Sequence, residues 1–427
     1  MSDVIATNET IMVVGGGISG MTAALEAAEC GKQVILVEKN PSVGGRVSQL
    51  YKYFPKLCHP TCGLEINLRR MKASKNITLM TMSEVAAISG DAGNYTVSVK
   101  TAPRFINQNC TACGACGDAV EAEFDDDYNY GMKKHKGAYL PHKMAHPMRY
   151  VLDAGIIGTD DATKAKEACK YDAVDLDMQE TTADINCGAI IWATGWKPYD
   201  AAKIQPYGYD RFENVITSVE FERMMDPFGP TGGKLVRPSD GKEAKDVAFI
   251  QCAGSRDRNH LKHCSRICCM ASLKQSTYLR EQFGDEGKAS IYYIDIRAID
   301  RIDDFHQKVK ADENVHFIKS KVASITKDKE DNPVLNGVDT EGYHRYSQSH
   351  DLVVLAVGME PSVSAADFPI DVVVNDNGFI EQDESNGAIF AAGCASDALD
   401  VNRAVQSATA SALRAIQVVN RAAAAEG

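Results

Sequence analysis

Cys252, Cys264, Cys268 and Cys269 lie in DVAFIQCAGSRDRNHLKHCSRICCMASLKQSTYLREQFG, an apolar strand that enters a turn and then a helical run ending at Gly284. Such a turn binds a dinucleotide when it reads G-x-G-x-x-G, because glycines let the backbone approach a pyrophosphate at the helix N-terminus. Of that pattern the turn keeps only Gly254. Four thiolates hold one cubane iron–sulfur cluster; buried structural cysteines or a redox disulfide would use the same residues. Ser265 to Phe283 contains neither proline nor glycine, so the helix is expected to begin there. That places Cys264 near the N-cap and Cys268 and Cys269 in the first turns, where backbone N–H groups suit a negatively charged cluster.

A second group of cysteines opens with Cys110, Cys113 and Cys116 and closes with Cys169. Two-cluster ferredoxins carry C-x2-C-x2-C-x3-C twice, and each cluster takes three cysteines from one run and its fourth from the other. With Cys169 aligned to the last position of the second run, Thr159, Ala162 and Ala165 stand where its first three ligands would be, and Val120 replaces the last ligand of the first run. All four ligands of one cluster are gone and all four of the other remain. The expectation is one [4Fe-4S] cluster on Cys110, Cys113, Cys116 and Cys169, two in the chain with the first set. The alternative is a dead insert with free thiols.

The elements that position these groups begin at IMVVGGGISGMTAALEAAECGKQVILVEKN, a strand, a glycine turn, a helix and a second strand. Gly15, Gly17 and Gly20 form the G-x-G-x-x-G, and Glu38 follows at the distance where a carboxylate meets the ribose of an adenine dinucleotide. Gly44, Gly45 and Arg46 continue the pattern of two-dinucleotide flavoproteins and point to FAD. Resemblance to that superfamily extends the flavin site to Ser19, Lys39, Val85 and the ATG-type turn Ala193, Thr194 and Gly195. DLVVLAVGMEPS reads as a second such turn. Near Gly393, Cys394 stands where these flavoproteins have aspartate, and Arg403, Ala404 and Val405 open a long helix whose N-terminus would face the flavin.

With 427 residues, two or three domains are expected. A formal charge of -12 argues against nucleic acid. With no long apolar run and no signal-like start, the chain is expected to be cytoplasmic, touching a membrane only through partners. Thirteen cysteines then indicate metal or redox chemistry rather than disulfides. Cys58 and Cys62 read as packing or supporting residues, with a redox pair beside the flavin as the alternative; Cys30 and Cys187 read as buried small hydrophobes, and Glu121 to Asp127 as a solvated loop, with a docking surface as the alternative.

QCAGSRD, HCSRICCM, IYYIDIRAID, FPKLCHPTCG and YGMKKHKGAYLPHKMAHPMRYVLD resemble the heterodisulfide reductase A-subunit family over nearly the whole chain. The resemblance implies an α/β, two-dinucleotide-binding-domain (thioredoxin/glutathione-reductase-like) flavoprotein with FAD and a cluster on Cys252, Cys264, Cys268 and Cys269. The short chain and half-degenerate insert are most similar to the A-subunits of quinone-interacting membrane-bound oxidoreductase (Qmo) complexes. That implies two partners, a second flavin and iron–sulfur subunit together with a membrane cytochrome subunit, in an assembly linking menaquinone to adenylylsulfate reductase. The expected domains are an FAD-binding domain from 1–105, 180–240 and 346–427, a ferredoxin-like insert at 106–179, and a second Rossmann-like domain at 241–345. No catalytic acid, base or nucleophile is expected, since the cofactors carry the chemistry.

Overall fold

The structure, a computed structural model, describes residues 7–298, 301–382 and 384–426. It forms two compact units, one of Met1–Ser48, Thr61–Trp196 and Pro361–Gly427, the other of Gln49–Pro60 and Lys197–Glu360.

The first unit is built on a parallel sheet in the order Ile389–Ala391, Ala189–Trp192, Ile11–Val14, Val34–Glu38, Ile77–Thr81. Its strands Ile11–Val14, Val34–Glu38 and Ala189–Trp192 are buried at every position, which is why they read as unbroken apolar runs. Residues 15–17 alone separate Ile11–Val14 from the helix Ile18–Glu29. That helix packs Ala23, Ala24 and Ala27 in the core, and the long helix Val401–Glu426 buries Ala404, Ala408, Ala412, Ala415 and Val419, a stripe at helical spacing. An antiparallel sheet of Thr181–Cys187, Asn94–Thr101 and Ser83–Asp91 completes the unit's main body.

The insert has a core of its own, built by Ile106, Val120, Leu152, Ile156, Ala162, Ala165 and Val174 around Cys116. Val120, Ala162 and Ala165, aligned above with ferredoxin ligand positions, are packing residues here. The acidic run is not simply a solvated loop: Glu123–Asp125 pairs antiparallel with Lys134–Lys136, setting carboxylates opposite ammonium groups.

The second unit repeats the plan, with a parallel sheet in the order Val215–Thr217, Leu352–Val357, Asp246–Ala253, Lys288–Tyr293, Val315–Lys319 and an antiparallel sheet of Ser324–Lys327, Pro333–Asp339 and His344–Ser349. Two seams differ from expectation. Residues 197–240 and 346–360 belong here, because Val215–Thr217 and Leu352–Val357 pair within this sheet. DLVVLAV is therefore a strand of the second sheet rather than of the flavin domain's. The helix Ser218–Met225 starts with a capping box in which the Thr217 hydroxyl accepts from Glu220 N at 3.4 Å and Glu220 Oε2 accepts from Thr217 N at 2.6 Å. Thr217→Ala is expected to cost about 1 kcal/mol, measured as a lower denaturant midpoint at constant slope; an unmoved midpoint would show that the box contributes nothing.

The segment Gln49–Pro60 is fastened to the helix Cys268–Phe283 by a buried ion pair. Lys274 Nζ lies 2.8 Å from Glu222 Oε1, both side chains 3% exposed, and donates to Lys52 O at 2.8 Å. Glu222 also accepts from Tyr51 N at 3.0 Å and Gln275 Nε2 at 2.7 Å. Burial pushes the Lys274 pKa below its ordinary value. Among the described residues, no helix is long and apolar enough to cross a membrane.

Candidate functional site

The glycine turn of the first unit is tight on every side. A Cβ on Gly20 would stand 1.7 Å from Gly15 O, one on Gly15 2.4 Å from Ala193 O, and one on Gly45 2.8 Å from Gly17 Cα. Gly15 at φ +105° and Gly44 at φ +127° adopt backbone that side chains rarely take. The turn thereby approaches the Ala193–Gly195 strand end and the Gly44–Arg46 loop, with Gly44 N donating to Gly16 O at 2.9 Å. Gly17 caps the helix with no side-chain bond, leaving its first amides for an anionic ligand. Glu38 is buried at the end of its strand and accepts from Gly16 N at 2.6 Å and Asn40 N at 2.7 Å, while burial raises its pKa. A nucleotide turn, its acid and a second glycine loop thus meet in one place, and these residues fit FAD.

The other expected flavin residues sort themselves by position. Ser362 Oγ donates to Thr194 Oγ1 at 2.8 Å, and nothing lies within 4 Å of the Cβ position on Gly195. Ser19 joins the glycine turn to the long helix: its hydroxyl donates to Ala404 O at 3.5 Å, and a Cβ on Gly393 would lie 2.0 Å from it. Arg403 and Val405 flank Ala404 in the first turn of that helix. Arg46 donates to Trp196 O at 2.6 Å and Tyr130 Oη at 2.9 Å, so its guanidinium braces the loop against the insert. Cys394 is buried with its thiol donating to Leu399 O at 3.3 Å, its pKa pushed up to about 12 by burial. Lys39 pairs with Glu84 at 3.3 Å on an 80% exposed side chain, and Val85 lies at a bulge in Ser83–Asp91.

Sequence reasoning missed Arg104. Its buried guanidinium donates to Pro41 O at 3.0 Å and Tyr150 O at 3.2 Å, tying the insert to the flavin loop, and burial lowers its pKa to about 10. A lone arginine before an insert carries no sequence signal for this.

The second unit's turn is rebuilt around its cysteines. Residues 254–267 separate the strand Asp246–Ala253 from the helix Cys268–Phe283, a long loop where a nucleotide turn would be short. The helix starts at Cys268, not at Ser265, because the Ser265 hydroxyl bonds Ser255 Oγ at 2.8 Å and accepts from Met359 N at 2.8 Å outside the helix. A bulge between Ile250 and Ala253 turns Cys252 at φ 56°. Gly254 at φ +74° lies under Tyr199, whose ring a Cβ would meet at 2.3 Å. Cys268 and Cys269 are buried, Cys252 and Cys264 half-buried. Cys268 lies 3.7 Å from Val357 O, and Cys264 Sγ accepts from Arg266 N at 3.4 Å.

Burial raises the pKa of Cys252 and Cys268 and pushes Cys269 up to about 11, with the neighbouring cysteines adding to each shift. The insert behaves alike: burial pushes Cys116 up to about 11, with Cys110, Cys169 and Cys113 adding. Cys110 Sγ accepts from Ala112 N at 3.4 Å and Cys169 Sγ from Ala173 N at 3.3 Å. Ala112, Cys252, Arg256 and Arg266 all take positive φ, at 56°, 56°, 56° and 63°. Left-handed non-glycine residues are costly and gather at functional sites. Among the described residues, no three cysteine, histidine, aspartate or glutamate side chains converge as ligands of one metal ion. A cubane offers four separate irons, so its thiolates stand further apart than those of a single ion; the N–H donors aimed at Cys110, Cys169 and Cys264 fit that larger group.

Of the remaining cysteines, Cys58 and Cys62 are exposed and unbridged, Cys187 is fully buried, and Cys30, expected to be buried, is exposed at the end of Ile18–Glu29.

The fold and glycine turn define a FAD-dependent oxidoreductase; residues 10–124 match that family's description, "FAD dependent oxidoreductase". The Lactococcus lactis thioredoxin reductase shares the fold at 14% identity and a TM-score of 0.54, covering 97% of this chain and 99% of that one. A thioredoxin reductase of T. acidophilum does so at 12% identity and a TM-score of 0.53, covering 97% and 99%. An iron–sulfur A-subunit of CoB–CoM heterodisulfide reductase from Methanopyrus kandleri is 35% identical over 96% of this chain and 64% of its own length. Its counterpart from Methanocaldococcus jannaschii is 36% identical over 84% and 55%. The chain belongs to the heterodisulfide reductase A-subunit family and spans a little over half to under two thirds of the length of these relatives.

Proposed function

We propose that this chain is the FAD and iron–sulfur electron-transfer subunit of a membrane-associated Qmo-like complex, linking menaquinone to adenylylsulfate reductase in dissimilatory sulfate reduction. The observation that carries the electron-transfer reading is the cysteine loop 254–267, which replaces the short glycine turn a nicotinamide dinucleotide needs. When bound, FAD exchanges two electrons and a cluster one, which makes the flavin the converter between pair and single-electron carriers. Gly15, Gly17, Gly20 and Glu38 would hold the dinucleotide. The two cysteine sets would each hold one cubane in its own unit, at the ends of a relay whose donor and acceptor are other proteins. The Qmo assignment rests on the half-emptied insert; membrane contact would come from the cytochrome partner, beside a second flavin and iron–sulfur subunit.

The chain purified without oxygen is expected to contain about eight irons, and Cys169→Ser about four with flavin retained. Iron-free chain would overturn the relay, and rapid flavin bleaching by NADH would favour instead a stand-alone NAD(P)H disulfide reductase using Cys58 and Cys62. Mixing reduced chain with adenylylsulfate reductase tests the partner: flavin reoxidation is expected. Its absence, with reoxidation by a heterodisulfide reductase catalytic subunit instead, would favour the second reading, which rests on the relatives, among them the A-subunit of a ferredoxin:CoB–CoM heterodisulfide reductase from Methanosarcina mazei.

A further inference from the structure

We propose that Arg256, with Asp295 and Arg297, sets the reduction potential of the group held by Cys252, Cys264, Cys268 and Cys269. The inference rests on the functional reading above and adds a role for residues that hold no iron. Arg256 Nη1 lies 4.0 Å from Cys252 Sγ and is ion-paired with the Asp295 carboxylate. Asp295 reaches the second sulfur through its backbone, its carbonyl standing 3.7 Å from Cys269 Sγ. Arg297 Nε lies 3.4 Å from the same carboxylate. Two guanidiniums thus share one carboxylate, and one of them, Arg256, stands beside a ligand sulfur.

Stability does not explain this placement. The Arg256 and Asp295 side chains are 24% and 46% exposed, and an ion pair so open to water contributes little. Arg256 sits at φ 56°, strained for a side chain of its size, and is held there by its N–H donating to His263 O at 3.1 Å. The backbone is bent at a cost to bring a guanidinium to the sulfur. Arginine stays protonated at any working pH, so its charge is a fixed feature of the site.

Reduction of the bound group takes one electron from its donor and makes or breaks no bond. The site gains one negative charge. A guanidinium beside a ligand sulfur favours that state, and a carboxylate disfavours it. Arg256→Gln is therefore expected to make the group about tenfold harder to reduce, a shift of about 59 mV to lower potential for one electron. Asp295→Asn is expected to shift it the other way.

The test is a mediated dithionite titration of the full chain, followed by electron paramagnetic resonance, with iron counted for each variant. The signal that disappears in Cys169→Ser belongs to the insert and is expected to stay in place in both variants. Opposite shifts support the proposal, since a merely loosened loop would move both variants in one direction. Shifts of one sign, or none, overturn it. Arg256→Lys, which keeps the charge, is expected to restore most of the wild-type potential; failure to do so also counts against a charge effect. Should Arg256→Gln lose its iron, the Asp295→Asn shift decides alone. Wild-type chain lacking the signal altogether would instead overturn the functional reading beneath.

Discussion

Gly20→Ala is expected to yield a chain that purifies without flavin. The added Cβ would stand 1.7 Å from Gly15 O and 2.9 Å from Gly15 C, both backbone atoms. No side chain can swing away to make room. Gly15 is itself packed closely on Ala193, whose carbonyl oxygen would lie only 2.4 Å from a Cβ built there. The helix Ile18–Glu29 must therefore lift off the turn, which removes its first amides from the pyrophosphate position and adds an overpacking cost of about 1–3 kcal/mol. Gly63→Ala is the control, because nothing lies within 4 Å of its Cβ position. Flavin released on denaturation, counted per chain, reads the result. Full flavin in Gly20→Ala would show that the dinucleotide lies elsewhere.

The second large effect is expected from Lys274→Met. Removing the ammonium leaves Glu222 buried at 3% exposure without its cation, a loss typically worth about 3–5 kcal/mol. It also removes the donor to Lys52 O, so Gln49–Pro60 should loosen and become open to trypsin after Lys52 or Lys56. The double variant Lys274→Met with Glu222→Leu should recover part of the loss in denaturant midpoint, because it leaves no unpaired charge while Tyr51 N and Gln275 Nε2 lose their acceptor. A single variant as stable as wild type would show that the pair is solvated and does not fasten the segment.

Much of the site was legible because its signals are local. The turn from Ile11 to Glu38 is a strand, three glycines, a helix and an acid within one short stretch, and each residue type answers a need of that stretch alone. The cysteine spacings are equally local, and that Val120, Thr159, Ala162 and Ala165 stand at the aligned ferredoxin positions is read without coordinates. Other features had no signal. DLVVLAV was misplaced because a strand buried on both faces shows the same apolar run in whichever sheet receives it, and its pairing with Asp246–Ala253 is a long-range choice. The start of the cysteine helix was set three residues late by bonds from Ser265 to Ser255 and Met359. Arg256 and Asp295 are separated by 39 positions, and nothing in their types announces that they meet beside a sulfur.

The amino-acid sequence by itself determined the dinucleotide turn and the family, and it groups the cysteines into the two sets proposed to hold clusters, since each depends on residue identity at short spacing. Tertiary structure decided which strands share a sheet, how the insert is braced to the flavin loop through Arg46 and Arg104, and which residues bend into positive φ around sulfur. Ala112, Cys252, Arg256 and Arg266 have no intrinsic preference for that backbone. They adopt it where the chain turns through the segments that carry the thiols.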